Sequence, residues 1–181
     1  MVKRNSPNLS LLTKLNIYKS MIIPVLLFGS SCWYANKESL RALERVQEKA
    51  LNWINGRKSY PINCVECNLL PLSLYMQLLD LLLLSKLISG YYKVDCSNFI
   101  SFREEGYNTR SAVRPTFYIP IIKRALMHQD FWYRTCRIAN NLPLNFDLYD
   151  TTSLKKRLLG HFWNHFHHCY RSEDIDSWRL I

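Results

Sequence analysis

At 181 residues, with 48% hydrophobic and 13% aromatic content, the chain can bury a core of one domain or two small ones, which excludes a disordered tail. A formal net charge of +10 goes beyond what solubility requires and points to an anionic partner. The most apolar stretch, Leu72 to Ile88, is interrupted by Gln77, Asp80 and Lys86 and falls short of the ~20 apolar residues that cross a bilayer, which excludes it as a membrane-spanning segment.

Leu11, Leu12, Leu15, Tyr18, Ile22, Val25 and Leu26 recur at spacings of three and four, which predicts an amphipathic helix from about Ser10 to Phe28, kinked at Pro24 and ended by Gly29. Lys3 and Arg4 ahead of the Met21 to Phe28 stretch superficially resemble a signal peptide. Lys14, Lys19 and the proline argue instead for a helix retained in the chain. A second helix is predicted from an Asn36 cap to a Gly56 stop. Leu40, Leu43, Val46, Ala50, Trp53 and Ile54 form its buried face, and Arg41, Glu44, Arg45, Glu48 and Lys49 its solvated one.

Arg57 to Pro61 reads as a loop and Ile62 to Cys67 as a short helix. Pro71 then opens, and Gly90 closes, a helix from Leu72 to Ser89 that is apolar on nearly every side and so must be surrounded by protein. From Asp95 to Pro120 the helical pattern lapses among Ser, Asn, Gly and Pro, giving a basic, loop-rich linker. Asp130 caps a helix to Asn140 that turns Phe131, Thr135, Ile138 and Leu142 inward and Arg134 and Arg137 together outward. A last helix, capped by Thr152 or Ser153, runs from Leu154 to about Tyr170 on Leu154, Leu158, Phe162 and Phe166. The expectation is a mostly α, irregular helical bundle with a loop-rich basic segment in the middle. Its parts are a helical region over 1–94, the linker 95–120 and a small helical extension over 121–181.

Chemistry is sparse. Cys64 and Cys67 have the spacing of half a zinc knuckle, but a structural site needs four ligands and no second pair exists. His161 and His165 stand one helical turn apart near His167, His168 and Cys169, a pattern that more often lies at an interface or in solvent. Asp147 and Asp150 sit in a turn without a basic nucleophile-activating group beside them in sequence, and no phosphate-binding glycine loop occurs. No metal, cofactor or catalytic residue is assigned. The six cysteines lie mostly in apolar or aromatic surroundings and read as free thiols of an intracellular protein, nuclear or cytoplasmic, with a small secreted cysteine-containing protein as the alternative.

The basic positions carry more. Arg110, Arg114, Lys123, Arg124, Arg134 and Arg137 are interleaved with Tyr107, Phe117, Tyr118, Phe131, Trp132 and Tyr133. Guanidinium groups hold phosphates and aromatic rings stack on unpaired bases, a mixture suited to RNA or an RNA/DNA hybrid. Lys155, Lys156 and Arg157 add a second basic patch at the start of the last helix.

Ordered motifs run through most of the chain. They include Tyr18-Lys19-Ser20, Pro24, Gly29, Trp33, Leu43-Glu44-Arg45-Val46-Gln47 and Ala50, then Leu69-Leu70-Pro71-Leu72, Asp80-Leu81 and Lys86-Leu87-Ile88-Ser89-Gly90. Thr109-Arg110-Ser111, the run from Phe131 to Pro143 and Ser153-Leu154-Lys155-Lys156-Arg157-Leu158 continue them. In this order they resemble the region after the polymerase core in reverse transcriptases of jockey-like non-LTR retrotransposons. Ala139 stands where that family usually has Trp, and Ile23 where a basic residue commonly precedes the proline. The resemblance implies a thumb-like helical region with a C-terminal extension that helps hold template and primer. The parent family's polymerisation needs adjacent aspartates to hold two cations, and the chain contains no Asp-Asp pair. The expected role is therefore a non-catalytic fragment, whose catalytic aspartates would lie upstream of Met1. The competing expectation is an interaction module that engages another protein through the apolar face of its first helix.

Overall fold

The computed structural model describes residues 8–33, 37–102, 117–120, 130–143 and 147–171. The fold is mostly α-helical. Its elements are α1 (Leu11–Ile17), a π-helical turn (Tyr18–Ile22), α2 (Ile23–Leu27), α3 (Ser30–Trp33), α4 (Lys37–Asn55), α5 (Tyr60–Glu66), α6 (Leu72–Ile88), α7 (Phe131–Asn141) and α8 (Thr151–Arg171). Among the described residues there is no sheet, only an antiparallel bridge between Phe102 and Phe117. Residues through Met76, with the end of α8 from Phe166, form one compact unit, and Gln77–His165 form another.

In the first unit Ser10 caps α1 by accepting the Thr13 N–H at 3.2 Å. The interruption expected at Pro24 is taken up one turn earlier. Proline has no N–H and its ring crowds the carbonyl of the preceding turn, and the wider π turn over Tyr18–Ile22 opens that turn while the chain stays helical through α2. Pro61, expected in a loop, lies in the first turn of α5, where a missing N–H costs nothing. Asn68 then ends α5 with a φ of 50°, and the Leu69 N–H reaches back to the Cys64 carbonyl at 2.9 Å. Gly56 ends α4 as expected, at a φ of 84°.

The buried face of α4 differs from its apolar pattern. Leu40, Glu44, Gln47, Leu51 and Ile54 are buried, whereas Val46 is exposed. Gln47 explains the rotation. Its Nε2 donates to the Leu70 carbonyl at 3.0 Å, and its Oε1 accepts the Leu72 N–H at 3.1 Å and the Tyr60 hydroxyl. One buried amide thus satisfies the backbone on both sides of Pro71, groups that would otherwise stay unpaired on burial. Glu44 lies buried near Tyr60 and Cys64. Burial raises the pKa of the Cys64 thiol and of the Tyr18 and Tyr60 phenols, so all three stay protonated near neutral pH. Beside them Asn63 donates to Asn52 at 2.9 Å and to the Gly56 carbonyl at 3.2 Å, and Lys58 pairs with Glu66 at 2.5 Å on the surface.

α6 is enclosed as expected over Leu72–Leu78, of which only Tyr75 is half-exposed, and the burial continues at Asp80, Leu81, Leu84 and Ser85. Leu79, Leu82 and Leu83 are only half-buried. In the second unit the Ser85 hydroxyl donates to the Leu148 carbonyl at 2.6 Å. Leu154, Leu158, Phe162 and Phe166 line the buried side of α8 at a spacing of four. No helix among the described residues is long and apolar enough to cross a membrane.

Candidate nucleic-acid interface

α7 organises the second unit. Asp130 caps it, its Oδ2 accepting the N–H groups of Trp132 at 3.0 Å and Tyr133 at 3.4 Å. Arg134, expected to point outward, is buried. Its Nε donates to Asp80 Oδ2 at 2.8 Å and its Nη2 to Asp80 Oδ1 at 3.3 Å, with Asp80 fully enclosed. A guanidinium inside a protein needs a carboxylate in fork geometry, and α6 supplies one. Arg134 therefore anchors α7 and is removed from the phosphate-contacting set.

Arg137 is exposed, as expected. It shares a stripe with Asp130 and Tyr133 at spacings of four and three along the helix. Lys155 and Lys156 are exposed on α8, and Arg157 is half-buried. Arg137, Lys155 and Lys156 stand in no ion pair among the described residues. Arg110, Arg114, Lys123 and Arg124 lie outside the described residues.

The described ends of the loop-rich segment are tied to α7. Asn140 Oδ1 accepts the Phe117 N–H and its Nδ2 donates to the Phe117 carbonyl, both at 2.9 Å, so one side chain imitates a strand neighbour. The Tyr118 N–H donates to the Ser101 carbonyl at 2.7 Å, and the Phe102 and Phe117 rings stack at 5.2 Å. Farther along, Phe99 stacks on Trp132 with centroids 5.2 Å apart and planes 9° from parallel. These contacts frame a cleft of about 290 Å³ between Asn98, Phe99, Tyr118, the cap residue Asp130 and the α7 residues Tyr133 and Cys136. Burial, with Asp130 nearby, pushes the Cys136 thiol up to about 11, so it remains neutral and unreactive near pH 7.

No protein-family model, curated protein or solved structure matches the chain.

The residues weighed for catalysis have structural duties. Asp147 accepts the Tyr149 N–H at 2.9 Å. Asp150, rather than Thr152 or Ser153, caps α8: its Oδ1 takes the N–H groups of Thr152 at 3.3 Å and Ser153 at 3.4 Å, and their hydroxyls also donate to its carboxylate. These bonds, the Ser153 hydroxyl first, hold the Asp150 carboxyl at about 2. All six cysteines are free thiols, and Cys64, Cys67, Cys136 and Cys169 are buried. No group of three or more His, Cys, Asp or Glu among the described residues could hold a metal ion. Burial lowers the pKa of His161 on α8.

Local sequence signals identified Tyr118, Trp132, Tyr133 and Arg137. They did not identify Phe99, an apolar residue in an irregular stretch, nor Asn140, whose partner lies 23 positions away. Asn140 falls within the Phe131 to Pro143 motif run, but a motif gives no partner for a side chain, and an amide near the end of a helix is too common to supply one.

Proposed function

We propose that the protein is a non-catalytic, single-strand nucleic-acid-binding module of the kind found after the polymerase core in jockey-like reverse transcriptases, one that helps hold template and primer. The observation that carries this reading is that Arg137, Lys155 and Lys156 are exposed without ion-pair partners among the described residues, in a unit whose surface also presents Phe99 and Tyr118. Surface cations already matched by carboxylates contribute little to binding an anion, whereas unmatched ones displace counterions from phosphates.

The test is the salt dependence of binding to a fluorescent single-stranded RNA. Each lost phosphate contact removes roughly 0.7 from the log–log slope, so Arg137→Gln, Lys155→Gln and Lys156→Gln together flatten it by about two units. Arg41→Gln with Arg45→Gln, exposed on α4, leaves it nearly unchanged. No measurable binding at low salt, or a slope unmoved by the triple change, overturns the proposal.

A second reading has its own observation. Leu12 (65%), Met21 (60%), Val25 (74%) and Phe28 (83%) are exposed from α1 through the π turn to the end of α2, more apolar surface than a short solvated helix ordinarily shows. A protein partner covering this stripe would make the chain an interaction module. A concentration-dependent oligomer lost on Met21→Lys with Val25→Lys, in a protein without RNA affinity, would favour it.

A further inference from the structure

The cleft beside α7 has properties that a basic surface does not require. Phe99 is 60% and Tyr118 55% exposed, so each presents an aromatic face to solvent instead of filling a core. Phe99 is nonetheless fixed in orientation, because its other face lies parallel to Trp132, which in turn meets Phe131 edge-on at 5.0 Å. The opposite wall is equally settled: the Phe117–Pro120 segment is held by Asn140 at both backbone groups of Phe117 and by the Ser101 carbonyl at Tyr118. Exposed rings on a fixed frame form a stacking platform whose ordering cost has been met before any ligand arrives.

Size and polarity narrow the occupant. About 290 Å³ lies at the small end of ligand sites, which run from roughly 300 to 1,000 Å³, so the cleft takes one planar group rather than an extended molecule. Asn98 and Asp130 bring polar groups to its wall, and the Asp130 carboxylate is the charged one, with its Oδ2 occupied by the two cap N–H groups. Its Oδ1 accepts no hydrogen bond among the described residues, so a residue that lines the cleft keeps an acceptor with no donor assigned to it. One helical turn beyond Tyr133, which lines the cleft, Arg137 is an exposed cation on the same stripe of α7.

From this geometry we infer that the Phe99–Tyr118 cleft receives one unpaired nucleobase bearing an exocyclic amine, its ring stacked on Phe99, its amine donating to Asp130 Oδ1 and an adjoining phosphate held by Arg137. The inference rests on the nucleic-acid reading above and adds a base-discriminating site to it. A carboxylate accepts from the amines of cytosine, adenine and guanine. In uracil the single Watson–Crick N–H is flanked by two carbonyls that the carboxylate repels, so uracil is disfavoured. A proline-rich peptide, the other frequent guest of aromatic grooves, gains nothing from an acidic acceptor and an exposed cation and needs a longer groove.

The experiment compares ten-nucleotide oligo(rC), oligo(rA) and oligo(rU) by fluorescence anisotropy on the full chain. The wild-type protein is expected to bind oligo(rC) and oligo(rA) tighter than oligo(rU). Phe99→Ala should weaken all three by roughly 5- to 150-fold, the range for losing one stacked base, with the salt slope unchanged because no charge is removed. Asp130→Asn keeps a good helix cap but offers an amide to the base, and should bring the three affinities together. Unchanged melting curves confirm that both variants fold, and Tyr118→Ala replaces Phe99→Ala if that variant does not. Salt-dependent binding that is indifferent to base identity and to Phe99 overturns the cleft while leaving the basic-surface proposal standing. An absence of binding to every oligonucleotide at low salt overturns both. Binding of a proline-rich decapeptide that Phe99→Ala abolishes, with no oligonucleotide bound, assigns the cleft to peptides and overturns the inference.

Discussion

Removing either half of the Asp80–Arg134 pair should be among the most damaging single changes in the second unit, and removing both should do much less harm. The carboxylate is fully enclosed and the arginine side chain is 8% exposed, with contacts of 2.8 and 3.3 Å in fork geometry. Asp80→Ala would leave a guanidinium inside the protein with its charge uncompensated, and Arg134→Ala would do the same to a carboxylate. Each is expected to cost about 3–5 kcal/mol. Against a total stability of roughly 5–15 kcal/mol that is a large share, and at a urea slope of about 2 kcal/mol per molar it lowers the midpoint by roughly 1.5–2.5 M. The pair Asp80→Leu with Arg134→Leu removes both charges and fills the space with hydrocarbon, so its stability should lie close to that of the parent chain. Urea titrations followed by far-ultraviolet circular dichroism and by tryptophan fluorescence supply the comparison. Single variants losing less than about 1 kcal/mol, or a double variant losing as much as the two singles combined, would refute the reasoning.

Gln47→Leu should destabilise the first unit by about 1–3 kcal/mol for each backbone group left unpaired at Leu70 and Leu72, and Gln47→Glu, which sets an acceptor against the Leu70 carbonyl, should be no better; a urea midpoint equal to that of the parent would contradict this. Asp150 makes stability depend on acid. Its folded-state carboxyl stands near 2 and its unfolded one near ~3.9, so its contribution is complete above about pH 4 and fades as pH falls toward 2. The melting-temperature advantage over Asp150→Asn should therefore be constant above about pH 5 and shrink below 4, and a difference that stays flat to pH 2 would exclude the effect.

The elements set by local chemistry were legible in the sequence. Apolar spacing, the Asp130 cap and the glycines after α4 and α6 depend on neighbours within a turn or two, so α4, α6, α7 and α8 could be located to within a few residues. Burial of polar side chains was not legible. Glu44 and Gln47 resemble solvated positions until Tyr60 and the Leu70–Leu72 backbone are in place, and Arg134 resembles a phosphate contact until Asp80, 54 positions earlier, is seen facing it. In each case the partner that makes burial tolerable lies on another element, and periodicity within one helix carries no information about it.

The same limit bears on the candidate site. Phe131, Trp132, Tyr133, Arg134 and Arg137 look in sequence like one mixed aromatic and basic surface, but they divide by depth: Arg134 goes inward to Asp80, while Tyr133 and Arg137 lie on the stripe that begins at Asp130. The rotation of α7 follows from that division. An arginine that must reach a buried carboxylate fixes the helix about its axis, because rotating Arg134 toward solvent would strand Asp80. With the rotation fixed, the edge carrying Trp132, Tyr133 and Cys136 meets Phe99 and the Asn140-pinned segment, and the cleft forms there. The buried ion pair is thus a positioning device. It holds no ligand itself, and it determines which aromatic faces and which cation a nucleic acid would meet.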